Sequence, residues 1–376
     1  MSGEAMMDRR AWLAGAAALV TAGPAHAAEP AHPAKPDLTL AFALPDAVTN
    51  GVAVTPEGRI FAALARIDGS AGPRVVEIRD GRPVPFPDEG WNAWAEEADP
   101  ARTLVWVNSL RIGPDGDLWL VDTGSPGFGK PMRPGGCKLV QVDIAGARVR
   151  RTIPLDGVVT SKSFIDDVRF NGPLAYLTDA GAPALVVLDP ATGRGRRVLE
   201  GHSSVTASRP ISAEGRIVRG PDGKPVYVHA DQLEVSPDGA SLVYQSCTGP
   251  LFRVPTRLID DPGTSPAALA ASVEIVADTP PTGGTAIAAD GTLFVSDTDA
   301  QRILRIAPDG TASTLIQDPR LLWVDAMWID AGGRLWLPAA QLNRLALFQG
   351  GRSQVRFPVE VYTLQLGAGP APNDHR

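Results

Sequence analysis

The chain is expected to fold as an all-β, six-bladed β-propeller, and three features of the sequence lead to this. A strand–turn–strand unit recurs six times, Gly and Pro are abundant (39 and 35 of 376 residues), and no long stretch has helical periodicity. The six copies begin at Asn50, Asn108, Asp166, Asp231, Gly283 and Asp325; "NSLRIGPDGDLWLVD" from Asn108 is representative. Gly58, Gly116, Gly239, Gly291 and Gly333 each lie eight residues after the opening residue, while the third copy has a shortened turn.

Each copy holds an apolar run, a tight turn of the Pro-Asp-Gly kind and a second run carrying a large aromatic: Phe61, Trp119, Tyr176, Tyr244, Phe294 or Trp336. The turn acids Glu57, Asp115, Asp238, Asp290 and Asp309 are read as structural, since an Asp there bonds its own backbone. The rings are read as filling between neighbouring sheets. Runs such as "CKLVQVDI", "ALVVLDP" and "PLFRVPT" supply third and fourth strands, and "LTLAFAL" near residue 40 is expected to close the ring against the last blade. The domain plan is therefore an export signal over 1–27, a Pro/Ala-rich linker over 28–36, one propeller over 37–367 and a flexible tail over 368–376.

The signal is read from a charged start with Arg9 and Arg10 in a twin-arginine-like setting, a short apolar run and the small-x-small site Ala25-His26-Ala27. That run is too short to span about 30 Å of hydrocarbon, so no stable membrane anchor is expected. The export machinery becomes a partner, and the location is periplasmic or secreted. The balance of 35 basic against 42 acidic residues, net −7, with no basic run interleaved with aromatics, argues against nucleic acid.

In a propeller the first strand of each blade lines the central channel, so the six opening residues should meet at one mouth. Oxygen-bearing side chains ringing a pore suit a hard cation. Asn108, Asp166 and Asp231 are the candidate metal ligands, calcium is the candidate ion, and Asp231 and Asp325 are the candidate catalytic carboxylates. The alternative is that these groups cap strand ends and bind channel water. Asn50, Asn108, His202 and His229 are candidate ligand contacts, the two histidines bracketing an insertion from Gly201 to Ala230. Cys137 and Cys247 are the only cysteines; they either form a disulfide across the mouth or remain two buried thiols. No metalloprotease, serine-hydrolase, P-loop or dinucleotide motif is present.

"LWLVDTG" (118–124), "AYLTDAG" (175–181), "ALVVLDPATGRGRRVLEGHSSV" (184–205) and "QDPRLLWVDAM" (317–327) resemble motifs of the Yellow and major royal jelly protein family. The resemblance implies a secreted six-bladed propeller and roles from dopachrome conversion to the binding of small ligands such as biogenic amines. A more distant likeness is to gluconolactonase and regucalcin propellers, which implies a divalent metal at the blade starts and an Asp as base. This chain departs from those patterns at three places: Asn50 stands where a Glu ligand is usual, Gly283 where an Asp is, and Ala326 where a Gly is. The expectation is a lactonase-like hydrolase acting on a small cyclic metabolite. A dopachrome-type isomerase and a small-molecule-binding protein without turnover are the alternatives.

Overall fold

The computed structural model describes residues 37–372. The stretches read as an export signal (1–27) and a linker (28–36), and residues 373–376, lie outside them. Among the described residues, six four-stranded antiparallel sheets form the blades. Their innermost strands contact one another in sequence order, and the first also contacts the sixth, which makes a ring. The innermost strands are Thr49–Val54, Val107–Ile112, Ile165–Asn171, Ala230–Val235, Thr285–Ile287 and Trp328–Ile329. The six-bladed β-propeller expected from the repeats is the fold observed.

Each blade runs outward in chain order except the sixth, whose outermost strand is Thr39–Leu44, paired antiparallel with Val359–Gln365. The N-terminal strand thus covers the edge that the last blade would leave open. At the seam of blades 6 and 1, Ala326 N donates to Asn50 O, and a Cβ on Gly51 would stand 2.9 Å from that of Ala326.

The turns behave as their residues dictate. Asp115, Asp238, Asp290 and Asp309 each accept from a backbone N–H two residues on, and Gly116 takes the positive φ (77°) that lets the chain reverse. The six second-strand aromatics are all buried. A buried Asp stands last or next to last in that strand in blades 2, 3 and 5, where it collects backbone N–H groups and one cation: Asp122 with Lys138, Asp179 with Arg197, Asp297 with Arg302.

The cysteines take the second of their two expected states, and one boundary moves. Cys137 and Cys247 are both free and buried. Cys137 opens the strand Cys137–Asp143, paired with Thr123, and packs in the core between blades 2 and 3. Cys247 belongs to a different hydrophobic cluster and faces the channel mouth. The tail does not begin at 368: Ala289 N donates to Gly369 O, Pro370 bridges Ala288, and Ala371 is buried.

Candidate functional site

Asn50, Asn108, Asp166 and Asp231 occupy the same place, second in the first strand of their blades. At each of them the register with the second strand slips. A bulge of this kind adds a residue to one strand and re-aims its side chain, so four blades turn one polar group toward the axis. Gly283 and Asp325 reach the mouth from just before their strands, and all six opening residues line one small space of about 20 Å³, enough for a single water or bare cation.

Gly283 occupies its place for steric reasons. A Cβ there would lie 2.4 Å from Val324 O, and one on Gly284 would lie 2.4 Å from the Asp325 carbonyl carbon. Blade 5 therefore approaches blade 6 more closely than any side chain allows, and the polar ring is broken at that point.

A one-way chain of hydrogen bonds runs around blades 1 to 4. Asn50 Nδ2 donates to Asn108 Oδ1 at 2.9 Å, and Asn108 Nδ2 donates to Asp166 Oδ1 at 2.9 Å. Burial, then the neighbouring Asp231, pushes the Asp166 carboxyl well above its usual range, so it keeps its proton and gives a hydrogen bond to Asp231. The Cys247 thiol also donates to Asp231. Asp231 is the accepting end of the chain; burial pushes it up to about 7, against the pull of these two donors. Asp325 is likewise raised well above its usual range, mainly by burial, and accepts from Trp323 Nε1 (3.0 Å) and Ala326 N (2.9 Å).

Above the ring opens a cavity of about 610 Å³. Its walls include Trp106, Phe164 and Trp323, with Phe128 and Met132 from the 125–133 loop and Val226 and Tyr227 from the insertion. The insertion from Gly201 to Ala230, noted in the sequence, thus contributes to the mouth. Trp106 is buried, yet its indole N–H finds no acceptor. Below the ring the channel is plugged by ion pairs that sequence reasoning did not single out. Arg169 bridges Asp167 (2.7 Å) and Glu234 (2.8 Å), and Arg111 donates to Met327 O. The signal for them was a charged residue three places after the opening residue of blades 2, 3 and 4: Arg111, Arg169 and Glu234.

The histidines are corrected. Neither lines the cavity: His202 Nδ1 pairs with Ser204 Oγ, and His229 Nδ1 accepts from Ala207 N, so both hold the insertion in shape.

For a cation, among the described residues no group of three or more His, Cys, Asp or Glu is arranged to hold a metal. The donors present are mixed. Asn50 Oδ1 is a buried acceptor with no hydrogen-bond donor, and it borders the same 20 Å³ space as Asp166 and Asp231. An orphaned carbonyl oxygen beside acidic groups fits a hard cation in chemistry and in size, in competition with the proton that Asp166 and Asp231 share.

No protein of curated function matches the chain in sequence. Its fold is similar to that of a gluconolactonase from Xanthomonas campestris (13% identity, TM-score 0.54, 88% of this chain and 89% of that one). It is also similar to a calcium-binding protein, regucalcin, from Agrobacterium tumefaciens (13%, 0.51, 90% and 96%) and to a luciferin-regenerating enzyme (12%, 0.53, 91% and 99%). At such identities the likeness is one of fold. Sequence supplies the family: the model for the major royal jelly proteins matches residues 107–368, more than half of the chain, and the protein belongs to the major royal jelly protein family.

Proposed function

We propose that the chain is an exported hydrolase that takes a small cyclic ester into the mouth cavity and opens it by lactonase-like chemistry. The observation that carries this reading is the pair of buried carboxyls of different character, Asp231 and Asp325, on the floor of an aromatic-walled cavity.

Asp231, pushed up to about 7, exchanges its proton near neutral pH, as a general base requires. It takes a proton from water as the oxygen attacks the carbonyl carbon. Asp325, held neutral by burial, gives its proton to the ring oxygen as the carbon–oxygen bond breaks. Trp106 offers its unpartnered N–H to the substrate, and Phe164 and Trp323 exclude water around the ring. A divalent cation, when held by Asn50, Asn108, Asp166 and Asp231, supplies polarisation of the carbonyl; calcium suits these oxygen donors. Export to the periplasm or the medium is part of the proposal and rests on residues 8–27.

The test is hydrolysis of a panel of γ- and δ-lactones by the full chain, with chelator and with calcium added back. Turnover above the uncatalysed rate that chelator suppresses and calcium restores supports the reading; no turnover of any lactone in calcium overturns it. A second reading, binding without turnover, is favoured by the aromatic walls above acidic groups, a surface suited to a cyclic amine. It is supported by calorimetry that gives saturable binding and no product. The isomerase alternative loses support for its histidine route, because neither His202 nor His229 lines the cavity.

A further inference from the structure

Beside the mouth, a second cavity of about 560 Å³ lies between the insertion hairpin Ser212–Ala213 / Arg216–Ile217 and the 342–348 segment. Its charged lining is Arg216, Arg219, Arg344, Arg356 and Glu214, so four positive charges face one negative in a chain whose net charge is −7. Glu214 is already committed. Its carboxylate accepts from Arg344 Nε (2.9 Å), Arg344 Nη2 (2.6 Å) and Asn343 Nδ2 (2.9 Å), and chiefly the Arg344 bonds hold it below the usual carboxylate range.

That pairing uses two of the three guanidinium nitrogens of Arg344. The side chain is only 10% exposed, and its Nη1 is buried with no acceptor. A buried guanidinium donor without a partner costs free energy that an oxyanion would recover, and a planar fork suits a group with several equivalent oxygens. Arg216, Arg219 and Arg356 stand exposed around the rim, where their field adds to that of Arg344. The cavity shares Val218 and Phe348 with the mouth cavity but none of the polar ring, and Phe348 is the one aromatic in its lining. With a single ring, already packed edge-on against Phe128, there is no row of aromatics on which successive bases could stack, and the pocket suits a small anion rather than a nucleic acid.

We infer that this cavity is an anion-binding site for a small, multiply charged oxyanion of the phosphate type. The site is independent of the hydrolytic reading.

The test is equilibrium dialysis of the full chain against labelled inorganic phosphate at constant ionic strength in chloride, with acetate as a singly charged control. The account expects saturable binding of one phosphate per chain, weaker acetate binding, and a loss of at least about tenfold in phosphate affinity in the Arg216→Gln/Arg356→Gln variant. Both substituted residues are exposed, so the variant keeps its fold, which circular dichroism checks. Asp231→Asn leaves phosphate binding unchanged. No saturable phosphate binding, unaltered affinity in the folded double variant, or acetate bound as tightly as phosphate would each overturn the inference.

Discussion

Asn108 Nδ2 donates to Asp166 Oδ1 at 2.9 Å, joining blades 2 and 3 at the channel mouth, while its Oδ1 accepts from Asn50 Nδ2 at the same distance. One carboxamide thus satisfies a partner on each side. In Asn108→Leu both neighbours lose that bond in a buried place, at about 1–3 kcal/mol for each stranded group. The expected result is a drop of about 2–5 kcal/mol in unfolding free energy, read from the denaturant midpoint at unchanged slope.

The carboxyl ring makes stability depend on pH in the direction opposite to ordinary ion pairs. Asp231 sits at about 7 in the folded chain against 3.8 as a free carboxyl, and Asp166 and Asp325 are raised as well. The folded state holds protons that the unfolded chain has released. The ring's contribution is therefore complete below the unfolded value and is lost as pH rises through about 7. Thermal scans from pH 5 to 8 should show this loss flattened in Asp166→Asn, and calcium should raise the melting temperature more at pH 8 than at pH 5.

Asp122, in the "LWLVDTG" stretch, is a scaffold residue. It accepts from the backbone N–H groups of Val105 and Trp106, and Lys138 neutralises it at 2.7 Å with both side chains buried. Lys138→Met leaves that carboxylate uncompensated, a change that costs about 3–5 kcal/mol. Calorimetric unfolding checks it, and Lys138→Arg should recover only part of the loss because the pocket was shaped around an ammonium.

Trp106→Phe separates packing from hydrogen bonding. The indole N–H has no partner within the protein, so its removal leaves no protein group stranded and stability should change by less than about 1.5 kcal/mol. Affinity for a ligand with a carbonyl in the mouth cavity should fall by about tenfold, the worth of one buried hydrogen bond. Titration calorimetry and a melting curve on the same sample read both.

The blade plan and the convergence of the six opening residues were legible because a propeller repeats one register, and a repeat is visible without any knowledge of contacts. The role of Asp115 and its equivalents followed from turn chemistry alone. Other features depend on distances between blades that no single copy encodes. The bulges at Asn50, Asn108, Asp166 and Asp231 re-aim side chains through pairing offsets with the second strand. Gly283 read as a missing ligand, whereas its cause is the approach of Val324 O. Cys247 belonged to a mouth loop in the sequence, but its bond to Asp231 depends on which way one thiol points. His202 and His229 fell in the right segment but do not line the cavity, because a loop of thirty residues sets no side-chain direction.

The central claim is that Asp231, at the accepting end of the ring, is the base for ester hydrolysis. The most direct measurement is the pH–rate profile of lactone hydrolysis for the wild-type chain and for Asp231→Asn, both shown to be folded. The account predicts a wild-type rate that rises through about pH 7 and a loss of at least about 100-fold in the variant at every pH above that. A folded Asp231→Asn protein with the wild-type rate and profile would contradict it.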